Sequence, residues 1–134
     1  NREFCNLSEV VVRATDTKET LLEKVRLATI LGTFQSTLVN FKYVSSSWRK
    51  NCEEERLLGV SLTGIMDCQF TNGKKDGLET LLEELKAEAV KTNAEFAKKI
   101  GINQSVAVTC VKPSGTVSQF RNIGVSINHL SLYL

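Results

Sequence analysis

This chain has no run of about 18 apolar residues, so it offers no segment that reads as a membrane-spanning helix. It has no charged-then-apolar start of the signal-peptide kind. Clustered charge of one sign is also missing. Lys and Arg number 17 against 15 Asp and Glu, for a net charge of +2, and the charged runs are short and mixed, as in Glu53-Glu54-Glu55-Arg56. That argues against a nucleic-acid or anionic-membrane surface, which needs clustered cations. Histidine occurs once, at His129, and the four cysteines, Cys5, Cys52, Cys68 and Cys110, form no C-x-x-C pair. A closed zinc site is not expected from such spacing, and no metal is assigned. Without a secretion signal the expected location is the cytoplasm, where free thiols are the default.

What is present is the composition of an ordinary folded domain, 42% hydrophobic and 24% charged over 134 residues. The length suits one domain rather than two. Its first residue is Asn1, and a core-like stretch begins at Phe4 with no lead-in, so the chain is expected to be cut from a longer one.

Residues 4–13 are rich in β-branched side chains and predict a strand with Cys5 and Leu7 on one face, Asn6 and Ser8 on the other. Asp16 and Glu19 have capping-box spacing. Leu27, Leu31, Phe34, Leu38 and Phe41 then recur at helical steps, predicting one helix over about 18–40 with that stripe as its buried face. Gly32 inside it marks close packing against a neighbour. A short polar helix follows the Ser45-Ser46-Ser47 break, and residues 59–67 alternate as a buried strand. A second long helix is expected over about 76–100, with Leu78, Leu81, Leu82, Leu85, Ala89, Phe96 and Ile100 on one face and Gly101 as its stop. Residues 105–111 read as a third strand. The order β, long α, β, long α, β points to an α/β sheet or barrel with helices outside.

Two places could carry chemistry. After the third strand comes Lys112-Pro113-Ser114-Gly115-Thr116-Val117-Ser118. Gly115 lets the backbone approach a ligand, while Ser114, Thr116 and Ser118 set hydroxyls beside free N–H groups, the donor set a phosphate needs at a helix start. The same residues also make an ordinary turn followed by a cap. The second place is Cys5, whose strand would run into the sheet. A thiol lining a pocket could form a reversible disulfide with a neighbour, but the spacing shows no partner, and taken alone Cys5 reads better as a small core residue.

The segments Cys5-Asn6-Leu7-Ser8-Glu9-Val10, residues 28–35, residues 51–65 and residues 111–119 resemble, in order, blocks of the adenosylcobalamin-dependent (class II) ribonucleotide reductases, most closely those acting on ribonucleoside triphosphates. The resemblance covers residues 1–119 and leaves 120–134 as a divergent tail. It implies part of a ten-stranded α/β barrel of two five-stranded halves, with these strands in the second half. It further implies thiyl-radical chemistry: adenosylcobalamin generates the radical, the ribose 3′ hydrogen is abstracted, the 2′ hydroxyl leaves as water, and a cysteine pair supplies two electrons. Cys5 matches one of that pair, and Pro113, Ser114, Gly115, Thr116, Val117 and Ser118 match the loop that holds the substrate's phosphates. A thioredoxin-like protein would re-reduce the disulfide. The radical cysteine, its nearby glutamate, the second reducing cysteine and most of the cobalamin site match nothing here, so the isolated chain is not expected to turn over. Cys52, Cys68 and Cys110 match no catalytic position and are expected to be core or surface residues. Two other readings stay open: the large subunit of an iron-dependent (class I) reductase, which shares the barrel, and a nucleotide- or phosphate-binding fragment without redox chemistry.

Overall fold

The computed structural model describes residues 2–112; the loop at 113–118 and the boundary at 119 lie outside the described residues. The elements are β1 (Asn6–Val11), α1 (Lys18–Gln35), α2 (Ser46–Glu55), β2 (Leu58–Thr63), a 3-10 turn at Ile65–Asp67 and α3 (Leu78–Ile100).

β1 and β2 pair in parallel, from Asn6 opposite Leu58 to Val11 opposite Thr63. A parallel pair needs a crossover, supplied here by α1 and α2. The predicted third strand runs along the other edge of β2, joined by one parallel bridge between Val60 and Thr109. Its pairing is irregular for a visible reason. The N–H groups of Leu58 and Val60, two residues apart, donate to the carbonyls of Ala107 and Val108, which are adjacent. A regular ladder matches steps of two with steps of two, so only a bridge survives.

Alternation sorts the sheet into two faces. Val10, Val12, Leu58 and Val60 turn toward the helices and form the core with Leu21, Val25, Leu81, Leu85 and Ala89. Burying such a set removes apolar surface from water at about 25 cal/mol per Å². α1 packs on both strands and on α3.

The seating of α1 departs from its expected face. Its buried residues are Leu21, Val25, Ala28, Thr29, Gly32 and Thr33, whereas Leu27, Leu31, Phe34 and Leu38 are 53%, 68%, 58% and 72% exposed. Small residues win the sheet-facing side because they allow close approach. A Cβ at Gly32 would sit 3.4 Å from the Leu58 side chain and 3.5 Å from the Ser8 hydroxyl, so the glycine lies against both strands, at van der Waals contact. The buried hydroxyls satisfy themselves within the helix, Thr29 donating to the Val25 carbonyl and Thr33 to the Thr29 carbonyl, both at 2.8 Å.

The helix is also shorter than its apolar period. Ser36 and Thr37 donate hydroxyl hydrogen bonds to the carbonyls of Thr33 and Phe34, taking over the helix end. At the start, Thr17 and Thr20 cap each other rather than Asp16 and Glu19. Asp16 is drawn off by Lys24, at 2.6 Å, and by the Arg13 N–H and the Thr20 hydroxyl. α3 ends at Gly101 as expected, in the left-handed conformation at φ 76°. Asn93 on α3 joins three parts of the fold, bonding the Thr33 hydroxyl and both the hydroxyl and the N–H of Ser105.

Candidate active site: the sheet face turned from the helices

The other sheet face carries Cys5, Leu7 and Glu9 from the β1 side and Gly59 and Ser61 from β2. Cys5 and Leu7 share a face as the alternation predicts, and both are exposed. The central feature is Gly59. A Cβ built there would lie 2.5 Å from Leu7 Cδ2, 2.9 Å from Cys110 Sγ and 3.3 Å from Cys5 Sγ. No side chain fits without displacing them. Two thiols, one from each edge of β2, therefore share with the end of Leu7 the space above this glycine. Their sulfurs are separated by no more than the sum of 3.3 Å and 2.9 Å.

Both thiols are held toward the protonated form. Burial raises Cys5 first, followed by the charge of Cys110 and of Glu3. Burial also raises Cys110; Lys112 pulls the other way, and Glu9 adds to the rise. An SH group that stays protonated near neutral pH is suited to giving up hydrogen and is a poor standing nucleophile.

Beside the thiols is an ion pair. Lys112 Nζ lies 3.2 Å from Glu9 Oε2, with only 7% of the Glu9 side chain exposed. Glu9 Oε1 is buried and has no hydrogen-bond partner among the described residues. Lys112 is the last described residue before the Pro113–Ser118 loop, so its bond to Glu9 anchors the approach to that loop on the same face as Cys5.

The structure thus brings Cys5 together with Cys110, whereas the substrate-phosphate residues Pro113, Ser114, Gly115, Thr116, Val117 and Ser118 are outside the described residues. Cys52 and Cys68 are buried, as expected of core thiols. Cys52 Sγ accepts the Phe4 N–H at 3.2 Å, under a cluster of the Phe4, Phe41 and Trp48 rings. Cys110 is the residue that sequence reasoning passed over. The signal available was the alternation that puts Cys110 and Lys112 on one face of their segment.

Among the described residues no group of three His, Cys, Asp or Glu could hold a metal ion. The hollow that Cys5 lines, between the chain start and the end of α1, measures about 220 Å³. That is smaller than a pocket for a drug-sized ligand. The hollow and its lining do not fit a corrin.

No family model matches this chain. The α/β arrangement is that of part of a ribonucleotide reductase barrel: it superposes on the crystal structure of a B12-dependent (class II) ribonucleotide reductase with a TM-score of 0.70 at 25% identity, covering 95% of this chain and 21% of that one. Its curated homologues are adenosylcobalamin-dependent ribonucleoside-triphosphate reductases. It is 25% identical over 159 residues to the protein of Lactobacillus leichmannii and 27% identical over 162 residues to that of Lactobacillus acidophilus. Each alignment takes in 100% of this chain and 21% of the relative. The chain therefore spans about a fifth of the length of the reductases it matches, and the resemblance carried by its four sequence blocks is the one both comparisons find.

Proposed function

We propose that this chain acts as a segment of a longer ribonucleotide reductase that uses adenosylcobalamin to convert ribonucleotides, with triphosphates as the first choice, to deoxyribonucleotides. Adenosylcobalamin would supply radical initiation from a site built mostly by other parts of the enzyme. Cys5 is one of the two thiols that reduce the substrate, and a thioredoxin-like dithiol protein restores them. The loop of Pro113, Ser114, Gly115, Thr116, Val117 and Ser118 holds the substrate's phosphates.

The observation that carries this reading is the position of Cys5, exposed on the sheet face away from the helices and raised toward its SH form. A reducing thiol must reach a substrate and must arrive with its hydrogen. Lys112, held by Glu9 on the sheet face that carries Cys5, directly precedes the loop in sequence.

The test uses the protein with its natural flanking sequence, assayed for deoxyribonucleotide formation with adenosylcobalamin and a dithiol. Cys5→Ser should abolish multiple turnover while nucleotide binding persists. Ser114→Ala with Thr116→Ala should weaken triphosphate binding far more than binding of the bare nucleoside. Activity that ignores cobalamin and needs a separate radical-generating subunit would move the chain to the class I enzymes. Indifference of every readout to Cys5→Ser would leave a phosphate-binding segment without redox chemistry.

A further inference from the structure

We infer that Cys110 is a resolving thiol for Cys5, so that the two form a redox-active pair inside this chain, closing across Gly59. This goes beyond the reductase reading and does not depend on it, because it rests on the sheet geometry alone.

Three observations converge. The two sulfurs crowd one point, 2.9 Å and 3.3 Å from the position that a Gly59 Cβ would take. Cys5 is exposed and Cys110 half-buried, so an external disulfide meets Cys5 first. Neither residue is fixed in the regular ladder: Cys5 precedes β1, and Cys110 follows the lone Val60–Thr109 bridge. Cys110 is tied to β2 by its N–H bond to the Val60 carbonyl, at 3.1 Å. A disulfide needs its sulfurs at about 2.05 Å and its Cα atoms within about 7 Å. The two flanking segments must draw together over the middle strand to close it, and Leu7, whose Cδ2 lies 2.5 Å from the same point, must rotate aside, while Gly59 itself puts no side chain in the way.

The chemistry balances without an unnamed reactant. A soluble disulfide, RS–SR, is attacked by the Cys5 thiolate. A Cys5–S–S–R bond forms, and one RS⁻ leaves carrying an electron pair and takes up the proton that Cys5 lost. Cys110 then attacks the Cys5 sulfur, releasing the second RS⁻, which takes the Cys110 proton. Two thiols are oxidised, one soluble disulfide is reduced, and the chain holds one disulfide. Only the thiolate attacks, so the exchange quickens as pH rises, and the raised thiols move that increase to higher pH.

The test oxidises the reduced full chain with glutathione disulfide and maps tryptic peptides without reduction. Arg13, Lys50, Arg56, Lys74 and Lys99 put each of the four cysteines in its own peptide. The expected result is a covalent link between the Cys5 and Cys110 peptides, the loss of two titratable thiols, and no retained glutathione. In Cys110→Ser, with an unchanged circular dichroism spectrum, Cys5 should instead keep a stable glutathione adduct. Gly59→Ala adds a methyl where both sulfurs converge and should suppress the link, leaving adducts in its place. Stable glutathione adducts on both cysteines of the unaltered chain would overturn the inference, as would a link from Cys5 to Cys52.

Discussion

Asn93→Ala removes a side chain that is 1% exposed and that ties α3 to α1 and to the segment carrying Cys110. Three hydrogen bonds disappear: Nδ2 to Thr33 Oγ1 at 2.9 Å, Nδ2 to Ser105 Oγ at 3.0 Å, and the Ser105 N–H to Oδ1 at 2.8 Å. Each contributes about 1 kcal/mol net, and a donor left buried without an acceptor costs about 1–3 kcal/mol. Thr33 keeps its own bond to the Thr29 carbonyl, and half-buried Ser105 regains some water. The expected loss is therefore about 2–3 kcal/mol. Urea unfolding reads it as a fall of about 1–2 M in midpoint with an unchanged slope. A double-mutant cycle with Thr33→Val should return a coupling of about 1 kcal/mol, since the two residues touch. A midpoint that does not move would refute the claim that Asn93 joins the three parts.

Asp16 should make stability acid-sensitive. Burial works to raise its pKa, but the hydrogen bonds from Lys24, the Arg13 N–H and Thr20 outweigh it and hold the carboxyl below its ordinary value. A depressed carboxyl contributes stability above the unfolded pKa of about 3.9 and loses it as pH falls through the folded value. Asp16→Asn should therefore lower the midpoint at pH 7 and flatten its dependence on pH below about 4, measured by urea titration at several pH values. Leu31→Lys with Leu38→Lys alters side chains that are 68% and 72% exposed. Stability should change by less than about 0.5 kcal/mol per site, while self-association in sedimentation velocity should decrease.

The helix-rich outline could be read from sequence because α3 and its glycine stop are local signals, and β1 and β2 because their apolar runs are short; that β2 ends at Thr63 and gives way to a 3-10 turn at Ile65–Asp67 was not legible. The orientation of α1 could not. Its period was right, but a period says only that two sides differ, and the smaller side won the sheet because Gly32 and Ala28 let the backbone close in. The third strand was legible as an extended run, whereas the offset between its carbonyls and the β2 donors is a tertiary fact. At the site, Cys5 and its facing were legible. The meeting with Cys110 was not, because 105 positions separate the two in sequence and only the sheet brings them to the same glycine.

Past Val25, threonines inside and leucines outside make α1 an inverted helix. A hydroxyl that donates to its own helix backbone has its hydrogen satisfied, so Thr29 and Thr33 can be fully buried. In this half of the helix the wettable side chains are dry, and Leu27, Leu31 and Phe34 stand in water. Polar substitutions would then be harmless on the leucine side of this chain and damaging on the threonine side, the reverse of what a hydropathy plot suggests. In any larger assembly that covers the leucines, α1 becomes a middle layer with two insides, and neither side tolerates a charge.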